Sequence, residues 1–260
     1  MVRTKPPTAE GLWQAMRELG PTRADSPRAA EEIADHIESL IISEALPEGA
    51  RLPSERDLAD FLSTSRPTVS QAIRILVVKG LVESRRGSGA YVTRRPQDTF
   101  AASVKLMLNL NQESVAQLNE LRLWLETTGV VEAIKHGTDE EIDAGETALE
   151  RLRANAGDTA AWMSADTVFH ATLVRASHNP YLAAIYESVH TALINYEYRS
   201  WIDGGSVPPW LKRSEAKKLS DLHQPILDAI RHRDTTAAVN AVLRHHEIMA
   251  QHIAESETLK

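Results

Sequence analysis

Residues 54–92 read SERDLADFLSTSRPTVSQAIRILVVKGLVESRRGSGAYV. Ser54 followed by Asp57 has the shape of a capping box, with Asp in place of the usual Glu, and opens a short helix through Leu58, Ala59, Phe61 and Leu62. The turn Ser63-Thr-Ser65 leads to a further helix that begins near Ser65 or Arg66, with Pro67 in its first turn, where a missing N–H costs no bond. Val69, Ile73, Leu76 and Val77 make its apolar face, and Gly80 stops it. LVESRRGSGAYV then alternates through a Gly-Ser-Gly tip, the pattern of a two-stranded hairpin. Upstream, PRAAEEIADHIESLIISEAL sets Ile33, Ile37, Leu40 and Ile41 at helical spacing, and Pro47 and Gly49 end that helix. Helix, helix, turn, helix, hairpin is the order of a winged helix-turn-helix.

The rest of the 260-residue chain is organised differently. Residues 100–260 show no strand pattern of similar quality and offer helical stretches near 112–136, 139–155, 158–178, 180–200, 213–232 and 235–256. Thr138-Asp-Glu-Glu141 is a capping box, Gly137 stops the preceding helix, and Asp234 caps the last one. The one long loop lies around Asp203-Gly-Gly-Ser-Val-Pro-Pro209. The expected fold is therefore mostly α: an N-terminal winged helix-turn-helix over 28–95, a linker at 96–100 and an all-α bundle of six or seven helices over 101–260. Residues 1–27 form an N-terminal extension, with a short helix expected at Ala9–Leu19.

A net charge of −7 taken as an average argues against nucleic acid, because neutralising phosphate takes clustered Lys and Arg. The charge is segregated, however. Residues 51–95 carry 9 basic and 4 acidic side chains, whereas residues 96–260 carry 15 and 23. Zero cysteines exclude a disulfide framework, a thiolate metal site and a cysteine nucleophile, so any metal must use His, Asp or Glu. No apolar run reaches the ~18 residues of a membrane span, and residues 1–27 lack the apolar centre of a signal peptide, so a cytoplasmic location is expected.

A helix that enters a major groove N-terminus first needs small polar and cationic residues in its first turns. Ser65-Arg-Pro-Thr-Val-Ser-Gln71 supplies them: Arg66 suits a bidentate contact to guanine, Thr68 and Gln71 suit base edges, and Ser65 and Ser70 suit phosphates. Arg56 is placed for the backbone, and the hairpin tip at Arg86 and Gly87 suits a minor groove. Singly, each feature is an ordinary solvated turn or hairpin. Their occurrence in order within the basic block points to double-stranded DNA.

The same residues resemble a known family. Gly49-Ala-Arg-Leu-Pro-Ser-Glu-Arg-Asp-Leu-Ala59, Ser65-Arg-Pro-Thr-Val69, Gly80-Leu-Val82 and Arg86-Gly-Ser-Gly-Ala-Tyr-Val92 are similar to the DNA-binding domain of GntR-family transcriptional regulators. The resemblance implies operator contacts from Arg56, Arg66, Thr68 and Arg86. Many members carry Arg where this chain has Ser70, which implies a different operator.

Ten histidines are many, and most lie in the C-terminal part. Asp166 and His170 sit four apart and share a helix face, able to hold one ion; such a pair is more often an exposed ion pair. His223 opens an apolar periodic helix, and in the last helix periodicity does not choose between His245 and His246. One Asp and three His would make a mixed N/O site for Zn²⁺, Ni²⁺, Mn²⁺ or Fe²⁺.

Glu120-Leu-Arg-Leu-Trp-Leu-Glu126, Asp166-Thr-Val-Phe-His170 and His223-Gln-Pro-Ile-Leu-Asp-Ala-Ile230 resemble the FCD effector domain of the FadR branch. In metal-binding members a histidine 22 residues after the one that opens the penultimate helix is a ligand. The resemblance thus implies Asp166, His170, His223 and His245 as the set, zinc first among the candidate ions, and His246 on the surface. It further implies that Arg122 meets the carboxylate of a small effector such as a sugar acid; the alternative for Arg122 is a salt bridge to Glu126 at i+4. Trp124, Trp162, Trp201 and Trp210 are read as core or loop-packing residues. The whole is expected to be a homodimeric, metabolite-responsive repressor, not an enzyme. The rival reading is a metal-dependent hydrolase with a basic docking domain, against which stands the lack of an independent general base beside the four ligands.

Overall fold

The computed structural model describes residues 28–111, 115–212 and 218–257; the helix expected at Ala9–Leu19 lies outside them. The chain divides into two compact units, Met1–Thr99 and Phe100–Lys260.

In the first unit α1 (Ala29–Ile42), α2 (Glu55–Phe61) and α3 (Arg66–Val78) precede an antiparallel hairpin of β1 (Val82–Arg85) and β2 (Gly89–Val92), in register from Val82↔Val92 to Arg85↔Gly89. The predicted core positions Ile33, Ile37, Leu40 and Ile41 are buried, and they meet Leu58, Val69, Ile73 and Leu76 in one cluster. Val77 departs from the expected face, being 38% exposed, and Ala72 takes its place in the core. Serine starts both inner helices. The Ser54 hydroxyl accepts the Asp57 N–H at 3.1 Å, and the Ser65 hydroxyl accepts the Thr68 N–H at 3.2 Å. Residues 49–52 also pair with β2, through the Leu52 N–H to the Ala90 carbonyl and the Val92 N–H to the Ala50 carbonyl.

The second unit is helical: α4 (Pro96–Leu110), α5 (Val115–His136), α6 (Asp139–Ala154), α7 (Thr159–Arg175), α8 (Pro180–Glu197), the short α9 (Arg199–Asp203), α10 (Gln224–Arg231) and α11 (Thr235–Glu257). Residues 96–100, expected as a linker, are the first turn of α4. Pro96 stands at the helix start, where its missing N–H removes no bond, and Asp98 lies in the positively polarised first turn. Further along, Val104 and Leu108 bury against Ala192 of α8.

The helix expected over 213–232 is broken. Pro225 in the first turn of α10 cannot extend a helix arriving from residues 218–221, so the chain turns at Leu222 and His223. This break places His223 at the head of α10 with its side chain fully buried. Trp162 and Trp210 pack edge to face in the core and Trp201 lies against them, but Trp124 is 63% exposed and contributes to neither core nor loop packing.

Thr138 and Glu141 form the complete reciprocal box at the start of α6, with the Thr138 hydroxyl accepting the Glu141 N–H and a Glu141 oxygen accepting the Thr138 N–H at 2.9 Å. Thr138→Ala should cost about 1 kcal/mol, the usual value of such a cap. A melting curve should then fall by roughly 2–4 °C. An unchanged curve would mean that water replaces the cap without loss.

Candidate functional site

In the first unit the basic residues gather at one groove between the helix starts and the hairpin tip, lined by Arg51, Arg56, Arg66, Arg85, Arg86 and Gly87. Arg56, Arg66 and Arg86, predicted separately, thus share one surface. The Arg66 guanidinium lies 3.6 Å from Glu55, a pair open to solvent on both sides. Ser65 and Thr68 hold their hydroxyls 2.7 Å apart at the start of α3, and Gln71 is exposed one turn on, with Ser70 half-buried beside it. Gly87 turns the tip with φ +74. Arg51 was not singled out by the sequence. Its backbone bridge to Tyr91 carries its side chain over Gly89, where an added Cβ would come within 3.3 Å of the guanidinium.

In the second unit Asp166, His170, His223 and His245 converge, each offering one ligand atom, and these atoms lie within 4.8 Å of one another. All four are buried. The pair Asp166–His170, which by spacing resembles an exposed ion pair, faces the interior of the bundle because Phe169, Leu173 and Trp162 share its side of α7.

The surroundings fix which ring nitrogens face inward. His223 Nδ1 lies 3.1 Å from the Leu219 carbonyl, an acceptor only, so Nδ1 donates and Nε2 points at Asp166 Oδ1, 2.9 Å away. Two acceptors so close need a cation or a shared proton between them. Likewise His170 Nδ1 faces Glu126 Oε1 at 2.5 Å, and its buried Nε2 has no hydrogen-bond partner. His245 Nδ1 is similarly buried without one. Orphaned imidazole nitrogens and a carboxylate around one point fit a divalent metal of intermediate softness.

Electrostatics favour an ionised Asp166 and a neutral His245, whereas at His170 the effect of burial is overcome by Glu126 and Asp166, which raise its pKa. Burial works to raise the Asp166 pKa, but the charge of the facing His170, with the close approach of His190 and His223, holds it well below the usual carboxylate range. Burial, reinforced by His223 and His170, holds His245 well below its ordinary value and therefore neutral, the form that ligates.

Glu126, Tyr186, His190 and His246 surround this centre, and none of the four is among the ligands that the sequence singles out. Glu126 is 1% exposed and binds three groups: His170 through Oε1, and the Tyr186 hydroxyl at 3.0 Å and His246 Nε2 at 2.7 Å through Oε2, all within a network closed by Arg122 on His246 Nδ1 at 3.4 Å. His246, expected on the surface, is thus largely buried and holds the carboxylate that binds His170. The anticipated Arg122–Glu126 pair is not among the ion pairs of the described residues; His246 stands between the two side chains. His190 accepts from or donates to Tyr186 at 3.1 Å and approaches Asp166 at 3.4 Å, and burial pushes its pKa down to about 4 against the pull of Asp166. A signal for it exists in YLAAIYESVHTALI: His190 lies on the same helix face as Ala183 and Tyr186.

A cavity of about 480 Å³ opens beside the cluster, lined by Arg122, Asp166, His170, His190, His245 and His246 among others. Arg122 is 8% exposed and its Nε has no hydrogen-bond partner.

Comparison with known proteins follows the same division. The family described as "Bacterial regulatory proteins, gntR family" matches residues 29–92, and the FCD domain family matches residues 117–248. The HTH-type transcriptional repressor NanR of Citrobacter rodentium is 32% identical over 222 residues, 84% of this chain and 82% of that protein. NanR of Salmonella newport is 31% identical over 223 residues, with the same coverage. Among solved structures, Streptococcus agalactiae GntR superposes with a TM-score of 0.61 at 24% identity, covering 85% of this chain and 99% of that one, and supports the fold.

Proposed function

Because the chain belongs to the gntR family of bacterial regulatory proteins and carries an FCD domain behind its DNA-binding domain, we propose that it is a homodimeric, metabolite-responsive repressor whose effector binds at a metal in the helical unit. The observation that carries the reading is the buried set of inward-facing His and Asp atoms beside a cavity that also receives Arg122.

Asp166, His170, His223 and His245 would hold a divalent ion, zinc before nickel, manganese or iron, given three imidazoles and one carboxylate. When bound, the ion supplies a Lewis-acidic point for a carboxylate. Arg122 supplies the matching fixed charge, and its unpartnered Nε is free to donate to an oxygen of a small acid. Glu126 orients His170 from behind, with Tyr186 and His246 fixing Glu126 in turn. In the first unit Arg66, Thr68 and Gln71 would read base edges. Arg56, Ser65 and Ser70 would hold phosphates, and Arg86 with Gly87 would enter the minor groove. An acid that binds the effector site more tightly in one arrangement of the two units than in the other shifts operator affinity by that difference.

The test is selection from a random duplex pool with the full-length, zinc-loaded chain, followed by anisotropy on the enriched site. A two-fold symmetric sequence should be enriched, as a homodimer requires. Sugar acids or short hydroxycarboxylates should release it, and a chelator should abolish the release. Release that ignores the chelator would sink the metal-centred reading.

A further inference from the structure

The arginines that line the groove of the first unit are not equally available to a ligand. Arg56 faces Asp60 at 3.9 Å, and Arg66 faces Glu55 at 3.6 Å. Arg85 is tied to Glu83 and lies over the Tyr91 ring, 4.3 Å from its centre. Arg51 and Arg86 are exposed, and among the described residues neither forms an ion pair. An arginine that already faces a carboxylate gives up part of that attraction on meeting a phosphate, whereas an unpaired one gives up only water.

Arg51 is also held in place. Residues 49–52 pair along β2: the Gly49 N–H donates to the Val92 carbonyl and the Leu52 N–H to the Ala90 carbonyl, both at 2.8 Å, and Val92 returns a bond to Ala50 at 2.9 Å. Arg51 itself bridges Tyr91, so its backbone is fixed to the hairpin. Its guanidinium lies against Gly89, where an added Cβ would stand 3.3 Å from Nε and 3.6 Å from one terminal nitrogen. Gly89 therefore has two roles: it takes the φ of +111 at the tip, and it leaves a seat for the guanidinium. Among the described residues that guanidinium donates no hydrogen bond to the protein, so it does not brace the hairpin and its donors stay open.

We propose that Arg51, seated against Gly89, is a further DNA contact of this chain, and that it binds a backbone phosphate bordering the minor groove entered by the hairpin tip without reading a base. The inference rests on the reading of the first unit as a DNA-binding domain with Arg86 at the tip. A cation laid along the flank of the hairpin stands beside the tip, where the phosphates that border a groove pass, while the tip residue points inward. Seating lowers the ordering cost of the contact, because the side chain is already confined before DNA arrives.

The test is anisotropy titration of the full-length protein at several salt concentrations, on the duplex enriched by selection and on an unrelated duplex of equal length. Arg51→Ala should weaken binding to both duplexes alike, by roughly 3- to 10-fold, and should reduce the slope of log affinity against log salt by about one. Arg51→Lys should keep the slope, since a point charge suffices for a phosphate, and neither variant should change the melting temperature. An unchanged slope in Arg51→Ala would overturn the proposal. So would a loss confined to the enriched duplex, which marks a base contact, or an Arg51→Lys protein as weak as Arg51→Ala, which marks a role in shape and not in charge. Arg66→Ala separates the two levels: if it too leaves the enriched duplex bound as before, the DNA-binding reading of this surface fails, whereas a weakened Arg66→Ala beside an unaffected Arg51→Ala removes Arg51 alone.

Discussion

Arg66→Ala should weaken operator binding by about 1–3 kcal/mol, roughly 5- to 150-fold in dissociation constant, and should relax specificity at one base position. The side chain stands at the first residue of α3, outside the core that Val69, Ala72, Ile73 and Leu76 make, so its removal leaves no cavity. Its pair with Glu55 at 3.6 Å is exposed on both sides, and such pairs are worth little to stability. The melting temperature should therefore stay put while affinity falls. Arg56→Ala offers the contrast. A residue that meets phosphate lowers affinity evenly across sequences and reduces the slope of log affinity against log salt by about one unit. Anisotropy titrations at several salt concentrations read both quantities. Unchanged operator affinity for a fully folded Arg66→Ala protein would remove the start of α3 from the DNA.

The DNA-binding unit was legible because its determinants are local. Ser54, Ser65, Pro67, Gly80 and the Gly-Ser-Gly tip each act on the backbone within a few residues, and the structure uses them where the spacing put them. Errors arose where a local signal had two meanings. Pro96 looked like a linker residue and starts a helix, and Pro225 sat inside a periodic stretch that it in fact divides. The surroundings of the histidine cluster were less legible for a different reason. Glu126 meets His170 across 44 residues and His246 across 120, and no periodicity relates them. Glu126 also runs against the strong preference of carboxylates for the surface, a preference overridden here because two histidines and Tyr186 satisfy its oxygens. His245 and His246 show the limit most plainly. They are consecutive and both turned toward the bundle, one to the centre and one to the carboxylate that orients the centre.

Removing the metal proposed for the histidine cluster should lower the melting temperature by about 5–10 °C. An ion present at a hundred times its dissociation constant stabilises the folded state by about 2.7 kcal/mol, and each kcal/mol moves the midpoint by roughly 2–4 °C in a unit of this size. The quantity to compare among variants is the rise in midpoint on adding zinc, not the midpoint itself. His170→Ala also strips Glu126 of a buried partner, and His223→Ala opens a cavity, so both destabilise the metal-free protein for reasons unrelated to the ion. The zinc-dependent rise cancels those costs. It should vanish in His170→Ala and His223→Ala. His246→Ala keeps all four proposed ligands and loses the hydrogen bond that fixes Glu126 together with the contact to Arg122, so zinc affinity should fall about 10- to 100-fold, the usual effect of removing a group behind a ligand. Its midpoint rise should shrink at low zinc and recover at high zinc. A His246→Ala protein with no rise at any zinc concentration would make His246 a ligand in its own right. A full rise in His170→Ala would dismiss the cluster as the metal site.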